Sequence, residues 1–460
     1  MKIKTPKIPH AVTLLFVIII LVTIMTYILP AGAFERVEVD GRNRVVPGSY
    51  SVMDATPVGL LDMFRAIPLG FKAAVEIIFI VLAGGIMFGI MSKTKAIENS
   101  IGTLVKTFGL KRKYMIVVIM TFVFGFLGVA VGYENNIALV PIAAVLSLAL
   151  GGDLILAAGI SVGAMTVGFG LSPINPYTVG TGHKIAELQM FSGAGLRSAL
   201  CFIGLSLMAL YNVRYFKRII ADPSRSLGIG LDVDGVSLDM EIEEYKMDLK
   251  SWMVLGTFMI GLAVIIYGVF NLGWYINELS AVFLMITIVC GIIARMNPTD
   301  FSETVLKSVA AAAPGAFMVG FATTIKVLME MGNIGDTISY ELSDMLQGLS
   351  TYSSAIAMSV SQCVINFFIP SGSGQALATL PVMIPLGEVL GLTPQTAILA
   401  FQIGDGVTNL LNPTLGGLIA MLAMCRVPLD RWLRFIFPLS MLILVISWVF
   451  LVIAVFTGYS

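Results

Sequence analysis

Runs of roughly 18 or more apolar residues, the length a helix needs to cross the hydrocarbon of a bilayer, recur from one end of this chain to the other. That feature confines the fold. With no water in the hydrocarbon, a spanning segment must satisfy its own backbone polar groups, so the runs read as helices and the expected class is an all-α polytopic membrane protein. Composition agrees: of 460 residues, 57% are hydrophobic and 12% charged, with a mean hydropathy of +0.93, outside the range of soluble domains. No soluble segment is long enough to fold alone, so function is expected inside the membrane. The net charge is zero and the basic residues sit in short loops, which excludes a nucleic-acid partner. Cys201, Cys290, Cys363 and Cys425 are far apart and lack metal spacing, and read as small reduced core residues.

Positive charge sets the topology. The start, MKIKTPKIPH, an apolar run and then Ala31-Gly32-Ala33, imitates a secretory signal. The run from Ala11 to Leu29 exceeds the roughly 7 to 15 residues of a signal core, so an uncleaved first span is expected. Lys2, Lys4 and Lys7 place the N-terminus in the cytoplasm, and by the resulting assignment about 20 of the 28 Lys and Arg face inward. Four regions follow: 1–68, a first span and an external loop; 69–216, a first repeat; 217–250, an acidic cytoplasmic linker that reads as a tether; and 251–460, a second repeat with a terminal span.

Two polar interruptions stand inside apolar sequence. In VAVGYENNIALVP, Tyr133, Glu134, Asn135 and Asn136 form the tip of an expected re-entrant hairpin (tip near 132–136), and FFIPSGSGQALATLPVMIPL holds a second (tip near 370–375). Gly132 to Pro141 aligns with Gly372 to Pro381. Downstream, GLSPINP from Gly170 falls over GVTNLLNP from Gly406 with one residue of slack, giving helix breaks near 170–178 and 406–414. One hairpin enters from each side, so the halves read as inverted repeats, the sequence pattern of a midplane transport site. Kinks in ordinary packed helices are the plainer account of any single break.

A broken helix offers orphan N–H groups at one half and orphan C=O groups at the other, so it binds ions without charged side chains. Ser371, Ser373, Gly374 and Gln375 suit a carboxylate or a small cation, and Gly372 and Gly374 permit close backbone approach. Asn175 and Thr178, with Thr408, Asn409, Asn412 and Thr414, carry oxygens of the kind that bind sodium. Glu134 and Asp405 are ionisable groups at membrane depth, expected to meet a cationic substrate group or a proton, or else to form a structural pair with Lys326. Glu76, Glu330 and Glu388 read as snorkelling or solvated, and His183 as a solvated loop histidine. There is no nucleophile elbow, metal-ligand histidine pair or cysteine with a base, so the chain does not read as an enzyme. A gated channel is the alternative of another class.

KIPHAVTLLFVIIILVTIMTYILPAGAFER, VVPGSY, PSGSGQALATLPVMIPL and AILAFQIGDGVTNLLNPT resemble the YfcC family of the four-carbon dicarboxylate anaerobic carrier group, whose relatives include arginine/ornithine antiporters of the ion-transporter superfamily. The resemblance implies a homodimer of a bacterial cytoplasmic membrane, working as an elevator, with basic amino acids as first substrates and four-carbon dicarboxylates coupled to sodium or protons as the alternative. Superfamily relatives bind sodium between a hairpin tip and the neighbouring break, which maps onto Asn135, Ser172 and Asn175 and onto Ser373, Thr408 and Asn412; sodium use by this chain is not itself implied, and no cofactor is expected. Two departures stand out: Glu134 is followed by Asn135 where the family has a second acid, and Asn412 stands where it has an apolar residue.

Overall fold

Wherever the chain stays apolar for long enough it forms helix, and little else forms. The computed structural model describes residues 11–39, 42–46, 48–108, 110–131, 134–234, 246–272, 274, 276–345 and 349–460. Helix α1 (Ala11–Ile28) leads to a loop of two short antiparallel pairs, β1 (Gly32–Ala33) on β4 (Ser51–Val52) and β2 (Arg36–Val39) on β3 (Arg42–Val45), with Gly32 opposite Val52 and Arg36 opposite Val45. Helix α2 (Leu60–Ala73) follows where a loop was expected, and the 68/69 boundary falls inside it. Pro68 and the charges Asp62, Arg65 and Lys72 disguise an amphipathic helix: Met63, Ala66 and Gly70 share its buried face at i, i+3 and i+7.

The first half then runs through α3 (Val75–Lys93), α4 (Ala96–Phe108), α5 (Lys113–Val131), a 3₁₀ turn at Glu134–Leu139, and α6 (Val140–Ala149). Helix α7 (Leu154–Ala158) passes through a π segment, Gly159–Gly163, into α8 (Ala164–Gly170). After a break the chain resumes as a π turn, Pro176–Gly180, and α9 (Thr181–Ile185), and α10 (Ala194–Ala221) ends the half. The second half has α11 (Leu249–Leu272), α12 (Ile276–Ile293), α13 (Pro298–Met331), α14 (Gly335–Asp344), α15 (Thr351–Phe368), α16 (Gly372–Val389), α17 (Pro394–Thr408), α18 (Gly416–Met424) and α19 (Leu429–Thr457).

Among the described residues, α3, α10, α12 and α19 are each long and apolar enough to cross a membrane, and α13 makes a fifth if its two parts, bent by 44° between Pro314 and Val319, form one span. Pro314 lacks the N–H its turn needs, which accounts for the bend. Helices α3 and α13 lie antiparallel at close range, with Gly85 against Ala312 and Gly89 against Ser308. Gly70 of α2 sits on Thr324, where an added Cβ would lie 2.7 Å from the Thr324 nitrogen.

Helices α8 and α17 cross backbone to backbone: a Cβ on Gly170 would lie 2.6 Å from Gly406 Cα. Only paired glycines allow that approach. The β1–β4 loop is clamped to α14, where Arg36 pairs with Asp336 at 2.7 Å and the Tyr50 ring stacks on Tyr340 with centroids 4.1 Å apart. The first part of the expected tether is also held, since Tyr215 Oη accepts from Leu227 N (3.0 Å) and Leu227 O accepts from Arg431 (3.1 Å). Residues 235–245 of that linker lie outside the described residues.

Candidate functional site

An asparagine followed by proline stands at each break. At the first, Asn175 Oδ1 accepts from Tyr177 N (2.8 Å) and Thr178 N (3.3 Å), while its Nδ2 donates to Phe169 O (3.0 Å), a carbonyl near the end of α8. This caps the resumed helix, whose first residue is Pro176, a use that stabilises a helix end by about 1 kcal/mol. At the second, Asn412 Oδ1 accepts from Thr414 N (2.9 Å) and Thr414 Oγ1 (2.7 Å), and its Nδ2 lies 2.9 Å from both Asn366 O and Asn366 Oδ1. Here the asparagine holds the turn ahead of α18, whose N-cap is Leu415. Both Oδ1 atoms are therefore occupied.

Asp405, fully buried in α17, is the centre of the polar cluster. Asn366 Nδ2, from the last turn of α15, donates to Asp405 Oδ1 (2.8 Å) and Asn409 Oδ1 (3.1 Å). Asp405 Oδ2 has no hydrogen-bond partner among the described residues, and neither does Thr178 Oγ1 from the first half. Gly372, at the start of α16, lies between them: a Cβ there would be 2.7 Å from Thr178 Cγ2 and 3.5 Å from Asp405 Oδ2. An orphaned buried carboxylate oxygen is costly unless a proton or cation completes it.

Above Gly372 opens a cavity of about 250 Å³, lined from four directions by Ser371, Gly372 and Ser373 of the α16 tip, Asn409 and Thr414 of the second break, Tyr177 of the first, and Glu76, Thr323 and Lys326 of α3 and α13. Ser371 caps α16, its Oγ accepting from Gly374 N at 3.3 Å. The positive end of an 18-residue helix thus faces the cavity. A second cavity of about 590 Å³ adjoins on the side of the β1–β4 loop, lined by Arg36, Glu330, Asp336 and Gly374 and sharing Lys326 and Ser371 with the first.

The expected residues divide accordingly. Ser371, Ser373, Asn409 and Thr414 line the first cavity, Gly374 the second, and Asp405 and Thr178 lie behind Gly372. Gln375 is turned away and fully buried, its Nε2 donating to Gln362 Oε1 (2.7 Å) and O (2.9 Å). Ser172 Oγ reaches Val129 O (3.3 Å), and Asn136 Nδ2 donates to Leu127 O (3.2 Å). Thr408 is half-buried at the end of α17 and lines neither cavity. Gly132 and Tyr133 lie outside the described residues, and of Glu134 and Asn135 only the backbone belongs to them.

Three expectations are corrected. Lys326 pairs with Glu330 (3.6 Å) one turn along α13, not with Asp405. Glu76 lines the cavity and accepts from Asn277 Nδ2 (2.8 Å), so it is not simply solvated. His183 is fully buried, its Nδ1 accepting from Phe191 N (2.8 Å) and its Nε2 lying 3.2 Å from Gln395 Oε1. The helix that resumes after the first break carries it inward. Two buried residues went unread. Asn366 interrupts an apolar run just before the second tip, a signal the sequence does carry. Arg197, fully buried, donates to Gln402 Oε1 (3.0 Å), Gln395 Oε1 (2.9 Å) and Tyr459 Oη (2.8 Å), partners that come from 198 or more residues away.

A sequence profile of the DcuC family, C4-dicarboxylate anaerobic carrier, matches residues 8–456. The chain belongs to this family. It is a multi-pass membrane transporter whose partners are a small-molecule substrate and the bilayer. It is 30% identical to the Escherichia coli K12 protein named "Putative basic amino acid antiporter YfcC", over 98% of this chain and 97% of that one. It is also 26% identical to an uncharacterized Haemophilus influenzae protein, over 99% and 98%. Among solved structures, the Alcanivorax borkumensis YdaH transporter aligns over 98% of this chain and 99% of its own, at 16% identity and TM-score 0.45. Neisseria gonorrhoeae MtrF, of a class of antimetabolite efflux pumps, aligns over 98% and 96%, at 18% identity and TM-score 0.45.

Proposed function

We propose that this DcuC-family protein is a secondary active transporter that exchanges basic amino acids across the bacterial cytoplasmic membrane. In this reading it is a homodimer with cytoplasmic N-termini. The hairpins and broken helices (α5–α9 and α15–α18) form a unit that moves as an elevator against a scaffold including α2, α3 and α13. The observation that carries the reading is Asp405, a buried carboxylate with one oxygen held by Asn366 and the other without a partner among the described residues, directly beneath the tip that lines the cavity. Such a group is a counter-charge awaiting a cation. Ser371 and Ser373, with the α16 N-terminus, take the substrate carboxylate, and Asp405 together with Glu134 takes the cationic part.

Inverted repeats are supported by three matched details. Gly170 meets Gly406, the pair the two halves share. Gly168 packs on Gly125 of its own hairpin arm, as Gly404 packs on Ser359 and Gln362 of its own. An Asn-Pro pair stands at both breaks, each asparagine oxygen accepting the backbone N–H two residues on. The E. coli relative's name supports basic amino acids. For a coupling cation, the oxygens of Asn175 and Asn412 are already engaged, while Thr178 Oγ1 and Asp405 Oδ2 are buried without partners among the described residues.

Carriage of four-carbon dicarboxylates with sodium or protons is the second reading, favoured by the family's own description and by Lys326 in the cavity. Counterflow in proteoliposomes separates these. Labelled arginine taken up against internal ornithine, indifferent to sodium, is expected. Uptake of succinate alone, dependent on sodium or a proton gradient, would replace the first reading with the second, and flux without saturation or counterflow would indicate a channel.

A further inference from the structure

Glu76 and Lys326 are the two charged side chains lining the 250 Å³ cavity among the described residues, and both stand on α3 and α13, opposite the α16 tip. Their charges are opposite, and each has its own partner: Glu76 accepts from Asn277 Nδ2 (2.8 Å) and Lys326 pairs with Glu330 (3.6 Å). Lys326 lines both cavities and Glu76 the inner one alone, so Lys326 stands at their boundary and Glu76 away from it. A molecule with a carboxylate at one end and a cation several bonds away can meet both.

Neither group is locked. The Lys326–Glu330 ion pair is long at 3.6 Å, and its side chains are 49% and 64% exposed, so it is weak and exchangeable. Lys326 also shares with Ser371 the boundary between the inner and outer cavities. A carboxylate arriving from the outer cavity meets Lys326 and the positive end of α16 together.

We propose that Glu76 and Lys326 form a charge gauge that selects ω-cationic amino acids. Lys326 releases Glu330 and joins Ser371 on the substrate carboxylate, while Glu76, positioned by Asn277, receives the side-chain cation and leaves the α-ammonium to Asp405 and Glu134. This rests on the exchanger reading and deepens it, because it assigns substrate length to helices outside the hairpins.

The test removes one charge from the ligand and one from the protein. Binding of L-arginine, L-citrulline and agmatine to the purified protein is measured by isothermal titration, citrulline lacking the side-chain charge and agmatine the carboxylate. Wild-type protein is expected to prefer arginine to either by on the order of tenfold or more. Glu76→Gln should collapse the arginine/citrulline ratio and keep the arginine/agmatine ratio; Lys326→Gln should do the reverse. Glu76→Asp and Lys326→Arg, which keep the charges, should retain both preferences and guard against a folding defect. Arginine binding to wild type with either ratio unmoved in its variant sinks the gauge alone. Wild-type protein that binds succinate and none of the three cationic or amino-acid probes, or binds nothing in the panel, sinks the exchanger reading and the gauge with it.

Discussion

The two broken spans share a frame and differ at one position that decides their chemistry. The first reads Gly168-Phe169-Gly170 before its break and the second Gly404-Asp405-Gly406. Both carry an Asn-Pro pair in the break, and the residue after each, Tyr177 or Thr414, lines the same cavity. Yet the first frame holds a phenyl ring where the second holds a buried carboxylate served by Asn366. Glycine and Asn-Pro build the crossing, and they recur because both halves need it. The charge is carried once. A duplicated backbone thus supports a one-sided electrostatic site.

The comparison breaks most readily at Asp405. Asp405→Asn keeps the shape and the Asn366 contact but removes the charge, and counterflow is expected to fall on the order of a hundredfold or more, the cost of an uncompensated buried partner. Phe169→Leu, at the matching position, should cost less than tenfold. Equal losses in the two variants would mean that both breaks act through packing alone. Arg197 supplies the next contrast, a second buried charge that lines no cavity. Arg197→Met should lower stability by about 3 kcal/mol or more, by stranding Gln395, Gln402 and Tyr459, and show as a lower melting temperature. Protein that still folds should keep its substrate preference.

The caps sharpen the comparison on a smaller scale. Asn175→Ala removes a cap and should cost about 1 kcal/mol. Asn412→Ala removes the acceptor of Thr414 N and Oγ1 and also the donor to Asn366, so a loss larger by about 1 to 3 kcal/mol is expected, with a drop in transport because Asn366 positions Asp405. Thermal melts of the two variants side by side check the order, and a larger loss in Asn175→Ala would count against the Asn366–Asp405 cluster.

The helical, multi-pass class and the family were legible because they depend on quantities summed over long windows: apolar run length, loop charge and motifs spread over the whole chain. Which side chains meet was not, because that depends on register between helices far apart in sequence. α2 hid behind Pro68 and three charges, since its buried face is only Met63, Ala66 and Gly70. His183 looked solvated until the helix after the first break carried it under Gln395. Asn175 and Asn412 were expected to be free ligands, and the same oxygens serve the orphan N–H groups their own breaks create. Glu76 looked like an interface residue and Lys326 like a partner for a buried acid, because their shared cavity is visible only when α3 lies against α13. Asp405 was found early, since a carboxylate at that depth is conspicuous without any partner.

Thr178 gives the smallest and most discriminating effect. Its Oγ1 is buried without a partner among the described residues, so Thr178→Val, which keeps the shape, leaves nothing newly unsatisfied and should change stability by less than about 0.5 kcal/mol. If the hydroxyl only fills space, transport is equally untouched. If Thr178 Oγ1 and Asp405 Oδ2 share a cation or a protonated carboxyl behind Gly372, the variant leaves that guest one oxygen short. The apparent affinity for the coupling ion should then fall about threefold to tenfold at unchanged melting temperature. Initial exchange rates measured across a sodium series and a pH series at saturating substrate locate the effect. A shift in the pH series alone identifies a proton and a shift in the sodium series alone a metal ion; no shift in either means that the first break holds no part of the ion site and contributes only the backbone that lets Gly170 meet Gly406.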